Sequence, residues 1–181
     1  MLLRQLLGLG LAGLFALVGS ERPAAAQGRA TTVYVVRHAE KDLTPGLADP
    51  PLTAAGQARA QALPAALGRR ARPAALFTTD TRRTRATLAP LAAATGLVPQ
   101  VYDAPAALAA RVRQEFAGRT VVVVGHSNTL LPLVAALGAP PPVAAIGDAE
   151  YDHLFVVRVP ARGPATVARR RYGAPSPPAA P

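Results

Sequence analysis

Thr120-Val121-Val122-Val123-Val124-Gly125-His126-Ser127-Asn128 begins as an unbroken β-branched run and ends in a glycine, a histidine and two residues suited to starting a helix. A short apolar run bounded by a turn signal reads as a strand buried on both faces. A helix from about Asn128 to Leu137 follows it. Thr31 to Val36 repeats the pattern and runs into Arg37-His38. Ala75 to Thr79 and Val98 to Tyr102 read as further strands, and His153 to Val159 and Thr166 to Tyr172 as the last two. Between them fall helices at about Ala54–Leu67, Thr81–Ala94 and Pro105–Phe116. Thr53 caps the first and Gly68 closes it, while Pro64 should kink or shorten it. Gly96 and Gly118 stop the other two. Asp42 to Pro51, rich in Pro, Gly and Asp, is a loop. Strands alternating with helices predict an α/β fold, a three-layer α/β/α sandwich around a mainly parallel sheet. The last two strands are joined by a short Pro/Gly turn, so they should pair antiparallel at an edge.

The 181 residues suit one domain with a sizeable core. Aromatics are only 4% of the chain, so Val, Leu and Ala must build that core. Residues 1–26 read as a secretory signal peptide: Arg4, an apolar stretch from Leu6 to Val18, then Ala24-Ala25-Ala26 ahead of Gln27. The apolar stretch is shorter than the roughly 20 residues of a spanning helix. The expectation is therefore cleavage after Ala26, a periplasmic or secreted protein, and no membrane association after cleavage. Residues 27–173 would form the folded domain and the proline-rich 174–181 a disordered tail. The chain has no cysteine, which excludes disulfides and a lipid anchor on cysteine. Its formal charge of +10 comes almost entirely from arginine, with Lys41 the single lysine. The arginines are scattered and lack interleaved aromatics, so attraction for anionic substrates or surfaces fits at least as well as nucleic acid, and the charge alone decides nothing. A small phosphorylated substrate and no nucleic acid are the expected partners. Oligomeric state is not legible.

Ligands of open parallel sheets sit beyond the carboxyl ends of the strands. Arg37-His38 and His126 occupy two such ends, and Arg83 lies in the first turn of the helix after a third strand. Two histidines and two arginines converging there would make a cationic pocket containing nucleophiles. Arginine's planar fork binds phosphate bidentately. Taken singly, each piece has a plainer reading: a solvated loop end, a helix cap, a charged helix face.

Four segments together resemble the histidine phosphatase superfamily. They are Val35 to Lys41, Leu52 to Ala60, Phe77 to Thr87 and Val123 to Thr129. They occur in family order, and the likeness runs from about Thr31 to Tyr172. The resemblance implies that His38 attacks phosphorus and becomes phosphorylated. It implies too that Arg37 and Arg83 hold phosphate oxygens, and that His126 contacts the transferring group. Ser127 and Asn128, at a helix N-terminus, should add donors to the anion, and Lys41 is a further candidate contact. No cofactor and no metal are expected, since the pocket offers no carboxylate cluster.

Several positions depart from the pattern. Ala39 replaces the usual glycine after the histidine, Thr78-Thr79 replaces a serine pair, and Thr84 and Ala86 replace Ala and Gln. No segment supplies the family's general acid clearly. Asp103 is either that acid or the N-cap of the helix beginning at Pro105. Glu40 reads as structural and His153 as a surface or salt-bridged histidine. Asp148, Glu150, Tyr151 and Asp152 form an acidic stretch without an assigned role. The expected function is hydrolysis of phosphate monoesters through a phosphohistidine on His38. A protein phosphohistidine phosphatase and a non-catalytic phosphate- or polyanion-binding protein are the alternatives.

Overall fold

The computed structural model describes residues 28–177; the expected leader at 1–26 lies outside them. Six strands and four helices follow in the order β1 (Thr31–Arg37), α1 (Ala54–Leu67), β2 (Pro73–Thr78), α2 (Arg82–Thr95), β3 (Gln100–Val101), α3 (Pro105–Glu115), β4 (Thr120–Gly125), α4 (Ser127–Ala136), β5 (His153–Val159) and β6 (Thr166–Arg171). The sheet order is β3-β2-β4-β1-β5-β6. β1 to β4 run parallel, β5 is antiparallel to β1, and β6 is antiparallel to β5 at the edge.

Both faces of the central strands are covered, which explains why they read as continuous apolar runs. Val33, Val35, Phe77, Val121 and Val123 meet Leu108 and Val112 of α3 and Leu130 and Leu133 of α4. The alternate residues Val36, Leu76, Val122 and Val124 meet Leu63 and Leu67 of α1 and Leu88 and Leu91 of α2. This is the expected three-layer sandwich.

Thr53 caps α1 by accepting a hydrogen bond from the Gly56 amide. Pro64 does not shorten that helix, which continues to Leu67. Proline removes only the one bond to residue 60, and the buried Leu63 and Leu67 hold the last turn on the sheet. Gly56 is required by packing: a Cβ there would lie 2.2 Å from the Glu40 carbonyl oxygen. The start of α1 thus presses on the chain just after β1. Arg59 strengthens the contact, with Nη2 2.7 Å from Glu40 Oε1 and Nη1 donating to the Tyr172 carbonyl at 2.6 Å. Glu40 is structural, as its sequence context suggested.

The tail differs from expectation. Ser176 Oγ accepts from the amides of Tyr151 and Asp152, and its own amide donates to Asp152 Oδ2. Residues 174–177 are therefore tied to the body, because the buried Asp152 carboxylate needs donors and takes them from Ser176 and Arg171. Residues 178–181 lie outside the described part. Among the described residues no helix is long and apolar enough to cross a membrane.

Candidate active site

Strand register assembles the site. Arg37 of β1 pairs with Gly125 of β4, and Thr78 of β2 lies opposite Val124. Three strands therefore end at one level, and the residues that follow become neighbours: His38, His126 and Thr79. The His38 amide donates to the Gly125 carbonyl at 2.8 Å. The two imidazole centroids are 5.3 Å apart, edge to face. A Cβ at Gly125 would come within 2.6 Å of the Tyr102 hydroxyl and 2.9 Å of Thr129 Oγ1, so those side chains would have to shift.

His38 is 3% exposed, and its Nδ1 lies 2.8 Å from the Ala39 carbonyl oxygen. A carbonyl only accepts, so Nδ1 carries the proton and Nε2 keeps its lone pair. Burial lowers the His38 pKa to about 3, opposed by the bond to Ala39 and reinforced by Arg37, His126 and Arg83. His126 is lowered as well, first by burial and then by Arg83, Arg37 and Lys41. Near neutral pH His38 is therefore a neutral imidazole with a free nucleophilic nitrogen.

A pH dependence of stability follows. Above about pH 6.5, the ordinary histidine pKa, folded and unfolded chains both hold His38 neutral. Below it the unfolded chain gains a proton that the folded chain refuses, so stability should fall until about pH 3. Urea titrations at pH 7, 5 and 4 should show the fall, and His38→Gln should make it shallower. An unchanged slope in that variant would contradict the assignment.

Two arginines flank the histidine. Arg37 Nη1 donates to the carbonyls of Gly147, Asp148 and Glu150 at 2.8, 3.0 and 3.0 Å. Its guanidinium lies 4.2 Å from the Tyr151 ring centroid. Arg83 approaches Asp49 at 3.3 Å. In both arginines Nε is buried and finds no partner among the described residues. An unsatisfied buried donor costs about 1–3 kcal/mol.

Threonines hold the second histidine. His126 Nε2 is 2.8 Å from Thr79 Oγ1, which donates to Thr84 Oγ1, and Thr84 donates to the Thr79 carbonyl. In that chain His126 Nε2 is the donor. The substituted Thr84 is fully buried and hydrogen-bonded, so its hydroxyl is used rather than tolerated. Thr87 ties α2 to the site by accepting from the Ala39 amide at 2.9 Å. Ala39 is accommodated where glycine is usual, since among the described residues no non-glycine residue has a positive φ.

The resulting pocket, about 360 Å³, is lined by Arg37, His38, Lys41, Arg83, His126, Ser127, Asn128, Thr129 and Asp148. It collects every expected site residue except Asp103. The first-turn amides of Ser127 and Asn128 have no acceptor within α4. Lys41 is placed by its bridge to Leu52 at the neck of the 42–51 loop.

The structure places Asp103 away from the pocket and does not use it as the cap of α3. It is exposed, does not line the pocket, and α3 takes Ala104 as an N-cap without a side-chain bond. The reason is topological, because it follows the edge strand β3, with β2 and β4 between it and β1. Asp148 is the acidic residue among those that line the pocket. His153 is buried rather than on the surface, stacked on Phe155 and 3.5 Å from Glu150 Oε1. A larger concavity of about 580 Å³, at the other end of the sheet, contains Arg29, Arg113 and Arg162 but neither site histidine. Among the described residues no group of three or more His, Asp or Glu could hold a metal ion.

Residues 33–105 match the histidine phosphatase superfamily (branch 1), a span that includes Arg37, His38 and Arg83. No curated protein matches the chain. Among solved structures, the protein histidine phosphatase SixA complexed with tungstate is similar at a TM-score of 0.60 and 19% identity. That match covers 80% of this chain and 97% of SixA. A mycobacterial glucosyl-3-phosphoglycerate phosphatase is similar at 0.56 and 19%, covering 81% of this chain and all of that one. YhfR of Bacillus stearothermophilus is similar at 0.56 and 22%, covering 78% and 96%. At such identities the likeness establishes a shared fold, which is the fold the sequence motifs implied.

Proposed function

We propose that the chain hydrolyses phosphate monoesters through a phosphohistidine on His38. One observation carries this reading: a neutral His38 with Nε2 free stands beside two arginines whose buried Nε donors lack partners. The phosphoryl dianion would sit among Arg37, Arg83, His126 and the first turn of α4. Nε2 attacks phosphorus, the ester P–O bond breaks, and the departing alcohol takes a proton. The proton stays on Nδ1, which donates to the Ala39 carbonyl oxygen and so stabilises the positive charge that the ring acquires. Water then attacks phosphorus, the P–N bond breaks, and inorganic phosphate leaves with His38 restored. Phosphoryl transfer asks mainly for positioning and charge stabilisation, and these residues supply both.

Asp148 takes the place first given to Asp103 as proton donor, because it is the carboxylate at the pocket. Asp148→Asn should slow alkyl phosphates, whose leaving groups need a proton, about 10²-fold or more, and nitrophenyl phosphate much less. Equal slowing of both would contradict the role. The same panel should include phosphohistidine peptides. Preference for them over every ester would favour the phosphohistidine phosphatase reading. Tight phosphate binding with no turnover of any substrate would favour the binding protein.

The reading extends to location. If residues 1–26 are a cleaved leader, N-terminal sequencing of the protein from outside the cytoplasm should begin at Gln27. Recovery of intact Met1 in the cytosol alone would contradict export.

A further inference from the structure

Beside the phosphate pocket lies a second concavity of about 400 Å³, lined by Ser127, Asn128, Leu131, Pro132, Ala144, Ala145 and Ile146. Ser127 and Asn128 line both, so the two concavities adjoin. The chemistry changes abruptly at that boundary. The first pocket holds Arg37, Lys41, Arg83 and two histidines, whereas no lining residue of the second is charged.

Helical periodicity explains the groove. Leu130, Leu133 and Val134 of α4 point into the core. Asn128, Leu131 and Pro132 share the adjoining face, being three and four residues apart. The opposite wall is the 144–146 segment. Arg37 fixes the chain immediately after it through the Gly147 and Asp148 carbonyls, and the Gly147 amide donates to Glu150 Oε2 at 2.8 Å. The arginine that faces the phosphate therefore also positions the groove wall.

We propose that this groove seats the alcohol part of the ester, and that the preferred substrates are monoesters of uncharged, largely apolar alcohols. The inference rests on the phosphatase reading above and adds the substrate class. With the dianion held by the arginines, the organic part meets either water or this groove. A second phosphate would find no cation there, and a polyhydroxylated sugar would find only the Ser127 and Asn128 side chains. An alkyl or aryl group loses apolar surface to Leu131, Pro132, Ala144, Ala145 and Ile146, a gain proportional to the area buried.

Alkylphosphonates test this without turnover, since their P–C bond is not hydrolysed. Calorimetric titration of the whole protein should show affinity rising about three- to fourfold for each methylene the groove covers. Hexylphosphonate should therefore bind at least about tenfold tighter than methylphosphonate, with a more negative heat-capacity change. Ala145→Asp, at an exposed loop position, should collapse the hexyl-to-methyl ratio toward one while the melting temperature holds. Equal wild-type affinity for both phosphonates would overturn the groove and leave the phosphate pocket standing. Binding of neither would overturn the phosphatase reading on which the groove depends. A ratio insensitive to Ala145→Asp would remove the alcohol from this groove.

Discussion

His38→Ala should lose turnover of every phosphate ester by at least about 10⁴-fold, the scale seen when a catalytic nucleophile is removed. The pocket's other imidazole, His126, is held in place by the hydrogen bond from its Nε2 to Thr79. It cannot substitute without breaking the threonine chain. Phosphate binding should weaken far less, since Arg37, Arg83 and the start of α4 remain. Calorimetry with inorganic phosphate would separate the two effects. Hydrolysis persisting above about 1% of wild type would place the chemistry elsewhere.

Arg37→Ala is the second large effect, and it should act on catalysis and stability together. The guanidinium ties three carbonyls of the 147–150 segment to β1 and lies against Tyr151. Its unpartnered Nε is the donor left for an anion. Removing it should lower kcat/KM about 10³-fold, through lost transition-state charge stabilisation and a loosened wall. The fold should lose about 2–4 kcal/mol as buried charge-assisted bonds go. Lysine should not rescue it, because an ammonium lacks the fork that serves three carbonyls and an anion together. Arg83→Ala should impair catalysis with less loss of stability, because its protein contact is one 3.3 Å approach to the partly exposed Asp49. Equal stability losses in the two variants would contradict this division of labour.

The sandwich was legible because its strands are buried on both faces and therefore read as Val-rich runs. The two site histidines were legible because each follows such a run directly. Distance along the chain hid the rest. Arg37 meets carbonyls more than a hundred residues away, and backbone acceptors leave no mark in a sequence. Thr79 orients His126 across 47 residues, and its role depends on how β2 and β4 align. Asp103 fits the rule for parallel sheets, as a carboxylate after a strand, yet it lies outside the pocket. The rule does not say which strand lies at the edge. Asp148 stood within an acidic stretch before an edge-side strand, and only the folded 147–150 segment brings it to the pocket. The tail looked disordered from its prolines, yet Asp152 captures Ser176. Composition does not record a single well-placed acceptor.

The central claim is the covalent intermediate. Brief incubation with a phosphate ester labelled on phosphorus, followed by quenching in alkali and peptide mapping, tests it directly. The label should sit on His38 alone, resist alkali, and be lost in acid as a phosphoramidate is. Label on a serine or threonine, or steady turnover with no labelled protein at any quench time, would contradict the account.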